Sequence, residues 1–364
     1  MGRPKGSKNK TKPKLKPPGV SVVIPHVTDP FIRLTVETVF ADCPTAQIVI
    51  VQDGAQPDLA MPTGVRVLRP WPERRGVGPS RDAGIGNASN DIIVVMDAHV
   101  RVLPGAIEGL SDVVRSDPTA VACALSGCSH ADLTNTVISD PAYYYTGGRV
   151  RYQTEQGWPL EPGWMVGLEP GTELGCALGG MYALSQARYN ALGCPWKRMI
   201  GWGTGEQTLC MVNWFHGGST ILADAKGDHV YRDSTESLPY ETPERIKAGI
   251  YYNRLRLLDM MPIPQREREK LILAAEVHAR KRRDDARRML YERRHDECKD
   301  AMALAVRTWD DWCARWWPGI SRDPIQATFR PGAIIHKPPA PTPGMRSGSG
   351  NISHIHCDPR VWLP

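Results

Sequence analysis

The segment that most constrains the fold is a short apolar strand that ends abruptly in polar residues. Ile92–Met96 is an uninterrupted, mainly β-branched apolar run, which is typical of a strand buried inside an α/β sheet. Asp97 and His99 follow it, and because side chains alternate along an extended chain, both are expected to point to the same side of the strand's carboxyl end. Imidazole and carboxylate there predict a metal site, with manganese favoured over calcium. The alternative is a capping aspartate and a surface histidine.

Strands and helices alternate around this segment. The sequence predicts strands at Gly19–Pro25, Gln47–Val51 and Val65–Leu68, and a helix at Phe31–Phe40. A loop over residues 74–84 then enters a second helix before the central strand. This alternation predicts an α/β fold with a mostly parallel central sheet flanked by helices.

Composition and cysteine usage favour a globular protein of the cytoplasm. Of the 364 residues, 41% are hydrophobic and 23% are charged, as in ordinary globular proteins. No apolar run reaches the roughly 18 residues of a membrane span, and the basic N-terminus lacks the hydrophobic segment of a signal peptide. The nine cysteines are scattered without a CxxC pair, which favours reduced thiols over a disulfide framework or a zinc knuckle.

Positive charge is concentrated in the first 18 residues. Residues 1–16 contain seven Lys and Arg and no acid, although the net charge of the whole chain is only +6. This arm cannot build a core and is expected to be disordered when free. Its start resembles an AT-hook, which implies that Arg3 lies in the minor groove of A·T-rich DNA, Pro4 keeps the chain extended, and Lys5 and the later lysines contact phosphates. The alternatives are a generic basic tail and a nuclear-import signal.

Seven motifs follow one another along the chain: Val22–Pro25, Gln52–Gly54, Arg75–Gly84, Met96–His99, Leu178–Leu184, Gly201–Gln207 and Gly227–Arg232. In this order, they resemble the motifs of the GT-A glycosyltransferases, most closely those of family 2 enzymes and the polypeptide GalNAc-transferases. They cover roughly residues 20–235. The sequence departs from the family pattern by an inserted Asp228 and by Thr204 and Gln207 in place of the commoner Gly and Asn. The loop over residues 126–175 matches nothing in the family.

The resemblance implies a divalent metal, Mn2+ or Mg2+, bound by Asp97, His99 and His229. Such an ion acts as a Lewis acid that neutralises the departing nucleotide diphosphate. His229 is far from His99 along the chain, so only the fold can bring the two together.

Other residues are assigned to the nucleotide-sugar. Asp53 is expected to accept hydrogen bonds from uracil N3–H or a ribose hydroxyl, or else to be a turn residue. Arg75 and Arg81 match positions that face the nucleotide or its phosphates, which the planar guanidinium suits; the alternative is a solvated loop charge. The resemblance also assigns Pro25, Asp97, Gly180 and Arg232 to nucleotide-sugar binding. Arg232 is expected either to hold the diphosphate or to pair with a neighbouring acid.

Two residues are assigned to the acceptor side. Glu206 matches a carboxylate that deprotonates the acceptor hydroxyl in inverting relatives and orients substrate in retaining ones. A plain helix N-terminal acid is its alternative. Trp202 is expected to stack on a sugar or to line the pocket. The alternative is a tryptophan of the hydrophobic core.

The C-terminal third is expected to be helical. Pro264–Lys299 is highly charged with helical spacing, and its basic clusters either face a phosphate backbone or form a solvated, ion-paired surface. Four tryptophans at spacings of 1–4 are expected to dock the following helix on the body: Trp309, Trp312, Trp316 and Trp317. The predicted domains are the arm 1–18, a GT-A domain 19–235, a helical extension 236–317 and a Pro/Gly-rich tail 318–364.

Together these features predict a metal-dependent transferase that moves a sugar from a nucleotide-sugar donor to DNA. The expected donor is a UDP-sugar. The acceptor is expected to be a hydroxyl on a modified base, such as a 5-hydroxymethylpyrimidine, and bacteriophage DNA hypermodification is a natural setting. One alternative is a cytoplasmic transferase acting on protein or polysaccharide. Another is a non-catalytic DNA-binding protein on a degenerate transferase fold.

Overall fold

The computed structural model describes residues 19–128, 144–152, 159–230, 243–279 and 296–319. Several predicted sites lie outside these ranges: the DNA contacts Arg3, Pro4 and Lys5, and Arg232, which is predicted to hold the diphosphate. Most of the C-terminal tail also lies outside them. Among the described helices, none combines the length and apolar character that a membrane span needs.

The secondary-structure elements of the described residues follow in chain order. The strands are β1 (Val20–His26), β2 (Gln47–Gln52), β3 (Val65–Leu68), β4 (Ile92–Met96), β5 (Val100–Val102), β6 (Val121–Cys128), β7 (Tyr145–Thr146), β8 (Val150–Arg151), β9 (Glu161–Pro162), β10 (Met165–Val166), β11 (Met181–Ser185) and β12 (Thr220–His229). The helices are α1 (Ile32–Asp42), α2 (Val77–Gly86), α3 (Ala106–Ser116), α4 (Gln186–Ala191), α5 (Gly205–Phe215), α6 (Pro243–Met260), α7 (Gln265–Ala279), α8 (Asp296–Ala303) and α9 (Trp309–Trp316).

The N-terminal half of the sheet is parallel, in the order β3-β2-β1-β4. Each strand predicted from its apolar run is present within one or two residues of its expected bounds. The runs are apolar on both faces because helices cover both faces of a parallel sheet. Helix α2 lies so close to β1 that a Cβ on Gly84 would come within 2.2 Å of Val23 Cγ1, so a glycine is required there.

The second half of the sheet is mixed and places the functional residues. Strand β4 pairs antiparallel with β11, which pairs antiparallel with β6. The long strand β12 runs parallel to β6, and its end also pairs antiparallel with β5. Through this pairing, His229 lies opposite Val100, one residue after His99. Far-apart parts of the chain thereby meet at one edge of the sheet.

The C-terminal helices share the core of the sheet. Trp309 and Trp312 are 1% and 0% exposed and belong to the same apolar cluster as Tyr182 and the sheet residues. The ring centroids of Trp312 and Trp214, on α5, are 5.1 Å apart, and those of Trp312 and Phe215 are 5.6 Å apart. The predicted docking of this helix through its tryptophans is therefore confirmed. The seven cysteines with described side chains are free thiols.

Candidate active site

Three predicted metal ligands converge at the carboxyl end of β4. Asp97 and His99 follow this strand, and His229 ends β12. One potential ligand atom from each lies within 4.8 Å of the other two. His229 Nε2 is 3.4 Å from Asp97 Oδ2, and the ring centroids of His99 and His229 are 4.6 Å apart. The structure thus gathers side chains that are up to 132 residues apart in the sequence.

The charge states of this cluster suit a divalent cation. Burial, the largest influence on Asp97, raises its pKa, but the hydrogen bond from His229 and the charge of Arg81 oppose this effect, and the pKa is held well below its usual range. Burial lowers the pKa of His229. An ionised carboxylate and a neutral imidazole are the forms in which these side chains bind metals, so this donor set fits Mn2+ or a similar divalent ion.

Arg81 on α2 is buried and bridges two carboxylates. Its side chain donates from Nη1 to Glu206 Oε1 at 2.7 Å and from Nη2 to Asp97 Oδ1 at 3.3 Å. The guanidinium carbon is 5.5 Å from the ring centroids of both Tyr182 and Trp196. With 4% exposure, Arg81 is not a solvated loop charge. It links the metal corner to Glu206 in the first turn of α5, and its predicted contact with the donor remains a prediction.

Two glycines form the floor between the metal ligands and Glu206. Gly180 has φ of +111°, a conformation that side chains rarely adopt, and its carbonyl accepts the Asp97 N–H at 2.9 Å. A Cβ on Gly180 would lie 3.2 Å from His229 Cδ2, and one on Gly179 would lie 3.5 Å from Glu206 Oε1. A small cleft opens here, and Ser126, Gly179, Gly180 and His229 are among the residues that line it. Any side chain on this floor would narrow the space available to a ligand.

The Asp53 carboxylate holds the loop that precedes helix α2. Its two carboxylate oxygens accept the N–H groups of Arg75 at 2.7 Å and Gly76 at 2.8 Å. Burial raises its pKa and these hydrogen bonds oppose the rise. The Arg75 side chain is exposed and lies 5.0 Å from the Trp71 ring centroid, while Pro25 is half-buried at the end of β1. Asp53 therefore has a structural role, and its predicted contact with the nucleotide stays a prediction.

Residues 200–204 form a loop that is predicted to face the acceptor, here called the acceptor-side loop. It is fixed by a side chain that the sequence analysis did not identify. Asn253, buried in α6, accepts the Ile200 N–H at 3.0 Å and donates to the carbonyls of Ile200 at 2.9 Å and Gly203 at 3.1 Å. Trp202 at the loop's tip is 37% exposed, so it is not a core tryptophan. Thr204 has φ of +67°, which explains the commoner glycine of the motif.

Two further carboxylates lie next to the predicted metal ligands His229 and His99. The inserted Asp228 is fully buried and forms an ion pair with Arg101, so it joins β12 to β5 directly beside His229. Asp29 accepts a hydrogen bond from the His99 ring. Neither role could be derived from a local pattern, because each partner is supplied by a distant part of the chain.

Part of the chain is similar to known proteins. Residues 21–159 match the family described as Glycosyl transferase family 2. The chain is 24% identical over 208 residues to Polypeptide N-acetylgalactosaminyltransferase 5 of Rattus norvegicus, covering 54% of this chain and 21% of that protein. It is 26% identical over 200 residues to Polypeptide N-acetylgalactosaminyltransferase 3 of Drosophila melanogaster, covering 51% and 28%. The chain thus spans less than a third of the length of these relatives.

A solved structure shows the same fold. The crystal structure of GalNAc-T7 with UDP, GalNAc and Mn2+ superposes with a TM-score of 0.62 over 82% of this chain and 57% of that chain, at 16% identity. The predicted GT-A fold is therefore confirmed. The family match and the relatives also confirm the prediction of a glycosyltransferase domain, similar to those of the polypeptide GalNAc-transferases.

Proposed function

We propose that this chain transfers a sugar from a UDP-sugar to an acceptor hydroxyl, with a divalent cation, Mn2+ or Mg2+, held by Asp97, His99 and His229. The convergence of these three side chains within 4.8 Å, at the sheet edge where α/β folds bind ligands, carries the proposal. When bound, the cation supplies Lewis acidity toward the departing diphosphate. An intact donor set also argues against a purely DNA-binding protein.

The side chains around the cation position the reacting groups. Burial opposes the charge on Arg81, but Tyr182, Glu206 and Asp97 together hold its pKa above the usual value, so it stays cationic. Arg81 thereby fixes the Glu206 carboxylate beside the cleft. From this position Glu206 takes the proton of the acceptor hydroxyl or orients the substrate. The Gly179–Gly180 floor keeps the space next to both groups open.

The donor is tested by hydrolysis and transfer with a panel of UDP-sugars. We expect Mn2+-dependent release of UDP by the wild type, loss of release with EDTA, and recovery on adding Mn2+. The rates of UDP release by Asp97→Asn, measured under the same conditions, give the background that does not depend on the metal site. Metal-independent release that Asp97→Asn leaves unchanged would contradict the proposed site.

For the acceptor we propose a hydroxyl on a modified DNA base, such as a 5-hydroxymethylpyrimidine. The supporting observation is the arm of residues 1–16, with seven basic residues, no acid and an AT-hook-like start at Arg3-Pro4-Lys5. A base stacked in a duplex is out of reach of such a cleft, so the base must flip or the enzyme must act through a groove. Bacteriophage DNA modification fits this reaction.

A protein acceptor is the second candidate, because the curated relatives carry names of polypeptide transferases. Labelled sugar offered with hydroxymethylated duplex DNA, unmodified DNA and Ser/Thr-containing peptides separates the two. The DNA proposal expects label only on hydroxymethylated DNA, and weaker transfer after deletion of residues 1–18. Labelled peptide with unlabelled DNA, unaffected by the deletion, would establish the protein acceptor instead.

A further inference from the structure

We propose that Asp29 is a positioning residue of the metal site. Its carboxylate accepts the Nδ1–H of His99 and so reserves the His99 Nε2 lone pair for the cation. The inference rests on the proposed metal-dependent function and assigns a role to a residue outside the ligand set.

The contact is short and shielded from water. Asp29 Oδ2 lies 2.7 Å from His99 Nδ1, and the two residues are 6% and 8% exposed. A carboxylate accepting from an imidazole N–H makes a charge-assisted hydrogen bond, which is stronger than a neutral one. A neutral imidazole has a single N–H group, so this bond selects the Nδ1–H tautomer and leaves Nε2 unprotonated.

Further hydrogen bonds of Asp29 fix its orientation. Its Oδ1 accepts the Phe31 N–H at 3.0 Å, and its own backbone N–H donates to His26 Nε2 at 3.2 Å. One carboxylate oxygen is therefore occupied by the backbone while the other faces His99. Since Asp29 is held from both sides, it can hold the ring in turn.

Helix α1 also fixes the backbone on each side of His99. The Thr35 hydroxyl donates to the Ala98 carbonyl at 2.9 Å and lies 3.2 Å from the Val100 N–H, which it accepts. One turn later, Thr38 accepts the Val102 N–H at 3.1 Å. The ring orientation of His99 thus depends on the Asp29 side chain, and its backbone position depends on two threonines of the same helix.

The expected consequence is a loss of metal affinity without a loss of fold. Partners that hydrogen-bond a ligating histidine typically account for about 10–100-fold in metal affinity. Asp29→Asn keeps the size of the side chain and the acceptor for Phe31 N–H but removes the carboxylate charge that faces His99. We therefore expect Mn2+ to bind this variant about 10–100-fold more weakly than the wild type.

Asp42 supplies a matched control at the opposite end of α1. Its carboxylate accepts the backbone N–H groups of Gly105 and Ile107, from which we expect a structural role. Electron paramagnetic resonance titration of Mn2+ gives the affinities of wild type, Asp29→Asn and Asp42→Asn, and thermal unfolding gives their stabilities. We expect Asp42→Asn to bind Mn2+ within about twofold of the wild type, even where its melting temperature falls as far as that of Asp29→Asn.

The tautomer of His99 in the metal-free wild type provides a second readout. Nitrogen-15 NMR of the histidine rings, with His99 identified by the signal missing in His99→Gln, should show the Nδ1–H form. An Nε2–H tautomer in the wild type would overturn the inference, whether or not Asp29→Asn folds. Equal Mn2+ affinity in Asp29→Asn and wild type would also overturn it. If the wild type binds no Mn2+, the proposed metal site itself is wrong and the role of Asp29 falls with it.

Discussion

The predicted metal ligands and the loop at residues 200–204, which is predicted to face the acceptor, are held in different ways. Asp97 and His99 are fixed by strand ends of the central sheet, and helix α1 hydrogen-bonds to the neighbouring backbone. Residues 200–204 are held by Asn253, from a helix beyond the segment that matches the family model. The sheet thus determines where the predicted metal ligands meet, whereas a side chain of helix α6 determines the conformation of residues 200–204.

The largest effect is expected in the metal corner. Asp97→Asn removes the anionic ligand, and we expect UDP-sugar turnover to fall by about 10³-fold or more, since metal stabilisation of the leaving group is lost. The fold should persist, because the strand itself is unchanged. Initial rates and circular dichroism melting measure both quantities. A variant with wild-type turnover would show that the corner does not serve catalysis.

In the tryptophan cluster, by contrast, we expect a substitution to reduce stability but not metal binding. Trp312→Ala leaves a cavity between α9 and α5 and should lower the free energy of unfolding by about 3–5 kcal/mol. Mn2+ affinity of the fraction that remains folded should equal that of the wild type. Denaturant unfolding and Mn2+ titration test this, and a stability loss below about 1 kcal/mol would mean that the C-terminal helices are not part of the common core.

Asn253 should affect both stability and acceptor use. Asn253→Ala leaves buried backbone groups of the acceptor-side loop without partners, which should cost about 1–3 kcal/mol of stability and raise the acceptor KM. Asn213 is the matched control, because it is a fully buried amide that donates to the Thr119 and Ser219 carbonyls away from the cleft. Asn213→Ala should lose similar stability with an unchanged KM. An equal rise of KM in both variants would remove the special role of Asn253.

Trp202 separates acceptor binding from stability. Because its side chain is 37% exposed, Trp202→Ala should change the free energy of unfolding by less than about 0.5 kcal/mol. Loss of a stacking surface should raise the acceptor KM by about tenfold, since stacking on one aromatic ring stabilises by about 1–3 kcal/mol. Steady-state kinetics against acceptor concentration tests this, and an unchanged KM would place the acceptor elsewhere.

The smallest effect, and the only gain, is expected at Thr204. Its left-handed backbone at φ of +67° costs a β-branched residue about 1–2 kcal/mol, although glycine also loses more chain entropy on folding. We expect Thr204→Gly to raise stability by up to about 1 kcal/mol. A drop in the melting temperature would mean that the Thr204 side chain contributes packing that outweighs the backbone strain.

The parts of this structure that the sequence could predict are those with a local cause. Apolar runs located the four strands of the parallel half of the sheet, β1 to β4, and alternation along the chain after β4 predicted that Asp97 and His99 lie on one side. His229 required the order of several motifs, because its position depends on the pairing of β12 with β5. Asp29 and Asn253 could not be found this way, since they act on residues 70 and 53 positions away and belong to no motif.

The central claim is that Asp97, His99 and His229 hold a cation that binds the donor diphosphate. Anomalous diffraction at the manganese edge, from crystals grown with Mn2+ and UDP, tests it most directly. The account predicts one strong anomalous peak within coordination distance of all three side chains and of the UDP diphosphate. A peak elsewhere with UDP bound, or UDP bound without any peak between these residues, would contradict it.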